Sequence, residues 1–243
     1  KQVPKCKQLS GLGRVCKQPC PFLARGEWCN FVEGRDGDTQ GLRDFIKSKF
    51  SPPLGEPGLA DLYQTVLDET PHLDEWQVLT VLASAITKGA LIVGPAGTGK
   101  SEVLRGIRCM FTDDGLKVCA YTHAACRLVA GHTVARLLHL NRQLIDQIFL
   151  IDEVGLLPLS TLGAISRWKS IGGHIICFGD FDGQFEPFTD RWKMDSAMHQ
   201  DSRLMLEVCN GLRIEMTKYR RGTDIKLFDW YYSMYGQLDF TNL

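Results

Sequence analysis

Short apolar runs recur along most of the chain, separated by polar or glycine-containing segments. Five runs of four or five residues have the length of strands buried on both faces of a sheet. They are Ala90–Val93, Val118–Tyr121, Ile148–Ile151, His174–Phe178 and Leu212–Glu215. Helical patterns lie between them, for example at Ser101–Cys109 and Thr161–Lys169. Strands that alternate with helices predict an α/β fold with a parallel sheet covered by helices on both faces.

The hydrophobic pattern divides the chain into three segments. Residues 1–33 are rich in Cys and Lys, and residues 34–72 carry Gly, Asp and Pro, which interrupt regular structure. We expect the second segment to be a linker with short helices at about 40–48 and 58–68. Residues 73–243 form the predicted α/β domain.

Lys and Arg number 28, as do Asp and Glu, so any basic surface must be local. The sequence contains no run of 18 apolar residues, so it predicts no membrane-spanning helix.

A glycine-rich segment directly after the run Ala90–Val93 matches the phosphate-binding pattern G-x-x-x-x-G-K-[ST] in full. Its glycines allow backbone N–H groups to face phosphate oxygens, and the following helix begins with a dipole that favours anions. Lys100 is expected to reach the β- and γ-phosphates, and the Ser101 hydroxyl to ligate Mg²⁺. The predicted ATP-binding residues are Gly94, Pro95, Ala96, Gly97, Thr98, Gly99, Lys100 and Ser101.

Two carboxylates, Asp152 and Glu153, follow the apolar run Ile148–Ile151. Ligands of open α/β sheets bind at the carboxyl ends of the strands, so both acids should emerge beside the phosphate loop. Asp152 is expected to hold Mg²⁺, and Glu153 to orient and activate the attacking water. The pair and the loop together predict an ATP-hydrolysing site.

The order of these and other motifs resembles that of superfamily 1 helicases, notably the RecD-like and Pif-type group, in their first RecA-like lobe. The matching segments are Leu73–Gln77, the phosphate loop, Ala120–Ala125, Gly131–Val134, Asp152–Glu153, Phe178–Pro187 and Lys218–Arg221. The resemblance covers roughly residues 73–235, and it implies a P-loop RecA-like fold.

The resemblance also implies roles for individual residues. Gln77 would recognise the adenine edge, and Gln184 would sense the γ-phosphate and couple it to the nucleic-acid groove. Arg220, with Arg221 as the second choice, would supply an arginine to the γ-phosphate. The residues that would contact a single strand are Thr122, His123, Ala124, His132 and Thr133.

The activity that the resemblance implies is an ATP-dependent helicase or translocase on a single strand, DNA more than RNA, that moves 5′-to-3′. The chain ends soon after Arg221, so we expect the second RecA-like lobe, and residues before Lys1, to belong to a longer protein. Two alternatives remain open at this stage. One is an NTP-dependent switch or packaging ATPase that unwinds nothing, and the other is a zinc scaffold with a decayed lobe.

Nine cysteines divide into two groups. Cys6, Cys16, Cys20 and Cys29 offer four thiolates in a short basic segment with few apolar residues, which favours a structural Zn²⁺ module. Free thiols or a redox role are the alternatives. The other five, scattered through apolar segments, are expected to be buried reduced thiols. With no apolar stretch typical of a signal peptide, this usage predicts a reducing intracellular location such as nucleus, cytoplasm or viral factory.

Overall fold

The computed structural model of the chain describes residues 32–52, 57–111, 115–140, 147–181, 200 and 202–233. The strands are β1 (Val32–Arg35), β2 (Gly89–Val93), β3 (Leu116–Ala120), β4 (His132–Thr133), β5 (Ile148–Asp152), β6 (His174–Gly179) and β7 (Leu212–Glu215). The helices are α1 (Thr39–Lys49), α2 (Leu59–Glu69), α3 (Glu75–Thr87), α4 (Lys100–Cys109), α5 (His123–Leu128), α6 (Val134–Leu140), α7 (Leu159–Ser170), α8 (Arg203–Val208) and α9 (Ile225–Ser233). A 3₁₀ turn spans Val154–Leu156.

The seven strands form one sheet in the order β1-β7-β2-β6-β5-β3-β4, and every neighbouring pair is parallel. The five predicted strands are all present, each within two residues of its expected bounds. β6 lies between β2 and β5, so the strand that precedes the phosphate loop and the strand that ends in the acidic pair are not neighbours. The predicted α/β class, a P-loop parallel sheet with helices on both faces, is confirmed.

Alternate residues of the central strands feed two apolar cores, one on each face of the sheet. On β2, Ile92 belongs to the core that includes α1, α3 and α4, whereas Leu91 belongs to the core that includes α7 and α8. In the second core Phe149 of β5 stacks on Trp168 of α7 with ring centroids 4.4 Å apart. Burying one such side chain stabilises the fold by roughly 1.5–3 kcal/mol, so both helical layers are firmly attached.

Residues 34–52 and 57–69 were expected to be a linker, but in the structure they pack against the sheet and its helices. β1 extends the sheet beside β7, and Trp76 of α3 packs directly against Gly34 of this strand. The α1 side chain of Arg43 donates to Glu75 of α3, with an Nε–Oε1 distance of 3.0 Å. α1 and α2 lie within one residue of the two predicted short helices. Local patterns predicted these helices correctly, but the pairing of β1 is a long-range contact that they do not encode.

Of the five scattered cysteines, Cys119, Cys126, Cys177 and Cys209 are buried. Cys109 differs from the expectation because it is exposed at the last residue of α4, away from the apolar face of that helix. Among the described residues, no helix combines the length and the apolar character needed to cross a membrane.

Candidate nucleotide-binding site

The phosphate loop leaves β2 at Val93 in a conformation that only glycine permits. Gly94 has a φ of 155°, and a Cβ at this position would lie 2.2 Å from the backbone oxygen of Met216. The Met216 N–H donates in turn to the Val93 carbonyl at 2.8 Å, so the segment after β7 is fastened to the base of the loop. Inside the loop, the buried Thr98 hydroxyl donates to the Pro95 carbonyl at 2.8 Å. These contacts fix the loop before any ligand binds.

Lys100 begins α4 and points back into the loop. Its ammonium donates to the carbonyl oxygens of Gly94 at 2.5 Å and Pro95 at 3.0 Å. Loop carbonyls therefore hold the cation where an anionic ligand could draw it away. Ala96 at the tip of the loop is exposed, and Gly99 caps α4 with a φ of 91°.

Three carboxylates act on Lys100 from the ends of neighbouring strands. Burial lowers the pKa of Lys100, while the negative charges of Asp180, Glu153 and Asp152 oppose that shift. Asp180 directly follows β6 and is buried. The carboxyl ends of β2, β6 and β5, which are neighbours in the sheet, therefore assemble one cation and three acids. Asp180 is part of the helicase-like segment 178–187, but that resemblance assigned it no role beside Lys100.

The Asp152 carboxylate and the Glu153 backbone both depart from their ordinary states. Burial and the adjacent Glu153 charge raise the pKa of Asp152 to about 6. Glu153 has a φ of 56°, a conformation that is uncommon for residues other than glycine, and its N–H donates to the Asp152 carboxylate at 3.0 Å. Such strain concentrates at functional sites because the surrounding structure must enforce it.

The donor set at this edge fits Mg²⁺. The cation prefers hard oxygen ligands and keeps several of its waters. Asp152 offers a carboxylate, and Ser101 is exposed in the first turn of α4, with a hydroxyl as the donor. These two residues would hold the ion, which would neutralise charge on bound phosphates.

Gln77 lies beside the loop, but both ends of its amide already have partners. Its side-chain Oε1 accepts from the Asp74 backbone N–H at 3.1 Å, and its backbone N–H donates to the Asp74 carboxylate at 3.0 Å. This capping box begins α3. Its Nε2 donates weakly to the Gly99 carbonyl at 3.4 Å, and the side chain is buried. Gln77 therefore joins α3 to the loop, and adenine recognition stays a prediction.

Arg220 also lies against the loop, with its charge paired. Its N–H donates to the Gly97 carbonyl at 2.8 Å, and its guanidinium bonds Asp36 through two nitrogens at 2.7 and 2.9 Å. Its Nε donates to Asp74 at 2.7 Å. Two carboxylates take up the guanidinium in this structure, and a role for Arg220 at the γ-phosphate stays a prediction. Asp36 was not among the predicted site residues, since it lies in the segment interpreted as a linker.

The predicted nucleic-acid residues lie at the outer part of the same sheet edge. Thr122, His123 and Ala124 are exposed where β3 ends, and the Thr122 hydroxyl caps α5 by accepting from the Ala125 N–H at 3.1 Å. His132 is exposed on β4, next to Thr133. The predicted residues after β3 and those on β4 therefore lie near each other, because β3 and β4 are parallel neighbours.

Some predicted residues lie outside the described residues, namely Gln184 and the four cysteines Cys6, Cys16, Cys20 and Cys29. Within the ranges that the structure describes, no group of three or more His, Cys, Asp or Glu side chains is arranged to hold a metal ion.

Residues 72–189 match the family model described as an AAA domain, a little under half of the chain. Among solved structures, the Pif1 helicase from Candida albicans is similar at a TM-score of 0.55 and 20% identity, covering 67% of this chain and 43% of that one. The fold is shared. A second solved structure concerns DNA unwinding at forked duplex DNA by two coordinating Pif1 helicases. It is similar at a TM-score of 0.52 and 18% identity, covering 67% of this chain and 48% of that one. The chain thus spans less than half the length of either relative. No curated protein matches it.

Proposed function

We propose that this chain is the ATP-hydrolysing lobe of a nucleic-acid helicase or translocase. The observation that carries the proposal is the meeting of Lys100, Asp152 and Asp180 at the ends of three adjacent strands. Phosphoryl transfer needs charge neutralisation and positioning more than covalent chemistry. Lys100 and a Mg²⁺ held by Asp152 and Ser101 would neutralise phosphate charge, and the loop backbone would position the phosphates. Glu153, next to Asp152, would orient the attacking water.

The nucleic-acid half of the proposal rests on the outer sheet edge and on the shared fold. The exposed residues Thr122, His123 and His132 lie one and two strands beyond β5, at the same edge of the sheet as the ATP site. The second Pif1 structure concerns unwinding of forked duplex DNA, which supports DNA as the substrate. The motif resemblance to the RecD-like and Pif-type group implies binding to a single strand and 5′-to-3′ travel. A second RecA-like lobe of the same longer protein would close over the nucleotide.

Strand displacement by the full-length protein tests this function. ATP should drive unwinding of a 5′-tailed duplex but not of a 3′-tailed one, and single-stranded DNA should stimulate ATP hydrolysis. Hydrolysis that no nucleic acid stimulates, with no unwinding of either duplex, would favour the NTP-dependent switch or packaging ATPase instead.

We also propose that the amino-terminal cysteines form a structural zinc module, because four thiolates in a segment with few apolar residues are typical of such sites. Elemental analysis of protein purified without chelator should find about one Zn²⁺ per chain, and a Cys16→Ser variant should lose it. Metal-free wild-type protein would contradict the proposal.

A further inference from the structure

Asp36 directly follows β1, the edge strand that pairs with β7. Its side chain is only 7% exposed, although it lies well before residues 72–189, the range that matches the family model. Its backbone N–H donates to the Glu215 carbonyl at 3.1 Å, so the contact between the two strands continues past Arg35. The backbone of Asp36 is thereby fixed against the end of β7.

The Asp36 carboxylate accepts four hydrogen bonds from the segment that follows β7. Its Oδ2 accepts from the backbone N–H groups of Thr217 and Lys218 at 2.8 and 2.9 Å and from Nη1 of Arg220 at 2.9 Å. Its Oδ1 accepts from Nη2 of Arg220 at 2.7 Å. Hydrogen bonds to a charged group are roughly twice as strong as neutral ones. Asp36 therefore fixes the course of residues 217–220.

Residues 219 and 220 in turn hold the phosphate loop. The backbone N–H of Arg220 donates to the Gly97 carbonyl at 2.8 Å, and its guanidinium donates to the Thr98 carbonyl at 3.1 Å. The ring of Tyr219 covers Gly97 so closely that a Cβ there would lie 2.7 Å from the ring. These contacts engage carbonyl oxygens and an α-carbon of the loop. They do not use its N–H groups, which are the groups that would bind phosphate oxygens.

Loss of the Asp36 carboxylate would weaken this whole chain of contacts. The Arg220 side chain is only 11% exposed, and it would keep Asp74 as its carboxylate partner. Removing one member of a nearly buried ion pair is strongly unfavourable. The N–H groups of Thr217 and Lys218 would lose their acceptor at the same time. The loop would then be ordered only when a nucleotide binds, and that cost would reduce the affinity.

We infer that Asp36 is a positioning residue of the nucleotide site, which acts through residues 217–220 to hold the phosphate loop in its binding shape. The inference rests on the proposed ATP site and adds to it a residue from outside the range of the family model. The loop backbone binds the α- and β-phosphates, which ATP and ADP share. Asp36 should therefore matter equally for both nucleotides.

Equilibrium titration of the full-length protein with fluorescent ADP and with a slowly hydrolysed fluorescent ATP analogue tests the inference. Asp36→Asn keeps the size of the side chain but removes its charge, and it should weaken both nucleotides by the same factor, about tenfold. In steady-state hydrolysis the KM for ATP should rise while kcat stays nearly unchanged, because binding is lost equally from the ground state and the transition state.

Asp38→Asn is the matched control, since it makes the same charge change two residues further along the chain. The Asp38 carboxylate is exposed and accepts from the Gly41 N–H at 3.0 Å, where it caps α1. This variant should bind both nucleotides like the wild type. Equal weakening in Asp38→Asn and Asp36→Asn would overturn the inference, because the effect would then follow from the charge of the segment.

The stoichiometry of binding separates a positioning role from a merely structural one. A residue that only stabilises the fold would lower the number of binding sites per chain and leave the Kd of the folded molecules unchanged. Asp36→Asn should instead change the Kd at full stoichiometry, well below its thermal midpoint. An unchanged Kd would overturn the inference. Selective loss of the ATP analogue would also overturn it, because Asp36 would then act at the γ-phosphate.

Asp36→Glu covers the case in which Asp36→Asn does not fold. The longer side chain keeps the charge that pairs with Arg220 but cannot reach all four donors in their present positions. Affinity for both nucleotides should fall by one common factor, smaller than that expected for Asp36→Asn. If Asp36→Asn does not fold, wild-type affinity in Asp36→Glu would overturn the inference.

The failure of the proposed function would look different. Wild-type protein that binds both nucleotides, loses them equally in Asp36→Asn and hydrolyses no ATP with any nucleic acid would contradict the proposed function and support the inference. Active wild-type protein with an unchanged Kd in Asp36→Asn would do the reverse. Wild-type protein that binds neither nucleotide would overturn both.

Discussion

The carboxyl edge of the sheet has an inner part and an outer part that differ in burial. At the inner part, formed by the ends of β2, β6 and β5, Lys100 and Asp180 are removed from much of the solvent, and the Asp180 charge opposes the lowering of the Lys100 pKa by burial. At the outer part, formed by the ends of β3 and β4, His123 and His132 are exposed. The same topological edge therefore carries two kinds of surface.

This difference indicates two kinds of ligand. Charges act more strongly where water is excluded, so the inner part suits a small, highly charged ligand held in one geometry. Each exposed side chain at the outer part would contribute little to binding on its own. Several such contacts suit a long ligand with a repeating backbone. Single substitutions should accordingly have large effects at the inner part and small effects at the outer part.

The largest effect is expected for Glu153→Gln, measured as steady-state ATP hydrolysis of the full-length protein. The amide cannot accept a proton from the attacking water, so turnover should fall roughly a hundredfold to ten thousandfold. Nucleotide affinity should be nearly unchanged, since Asp152 and the loop remain. An equal loss of binding and turnover would mean that Glu153 holds the ligand rather than the water.

Lys100→Ala should have the next largest effect, on nucleotide affinity. Loss of its charged bonds to phosphate should weaken ATP binding about tenfold to a hundredfold in a fluorescence titration. Lys47→Ala on the exposed face of α1 is the matched control and should bind normally. Unchanged ATP affinity in the Lys100 variant would contradict the expectation that single substitutions have larger effects at the inner part than at the outer part.

At the outer part, His123→Ala should weaken single-stranded DNA binding only roughly twofold to tenfold, because one solvated contact is lost. ATP affinity without DNA should not change. The measurement is fluorescence anisotropy at fixed salt, since phosphate contacts depend on ionic strength. Loss of ATP binding in this variant would show that the two parts are not separate.

The smallest effect concerns the pH dependence of stability. Although burial alone raises the pKa of Asp74, hydrogen bonds from Arg220 and the Gln77 N–H, with the charges of Arg220 and Lys218, bring that pKa below its ordinary value. Stabilisation from this pairing is fully present above the unfolded pKa of about 4 and is lost as pH falls through the lower folded value.

Arg220→Met should therefore lower the midpoint of thermal unfolding at neutral pH, and the difference from the wild type should shrink below about pH 4. A difference that stays constant down to about pH 3 would show that Arg220 stabilises the fold by packing rather than by its ion pairs.

The features that depend on neighbours along the chain could be predicted from the amino-acid pattern alone. The apolar run of β2 followed by Gly94 to Ser101 predicts a strand, a loop and a helix because each residue type restricts its own backbone. The same holds for the run that ends in Asp152 and Glu153. Even α1 and α2 were predictable, since their helical patterns are local.

Which distant groups meet depends on the three-dimensional fold. Asp36 lies 184 positions from Arg220, and no local pattern pairs them. The insertion of β6 between β2 and β5 brings Asp180 to Lys100, and the pairing of β1 with β7 turns an expected linker into part of the sheet. A sequence motif states which chemical groups are present. The free energy of burial and ion pairing decides which of them remain available to a ligand, and here it pairs Arg220 with carboxylates and leaves Arg221 exposed.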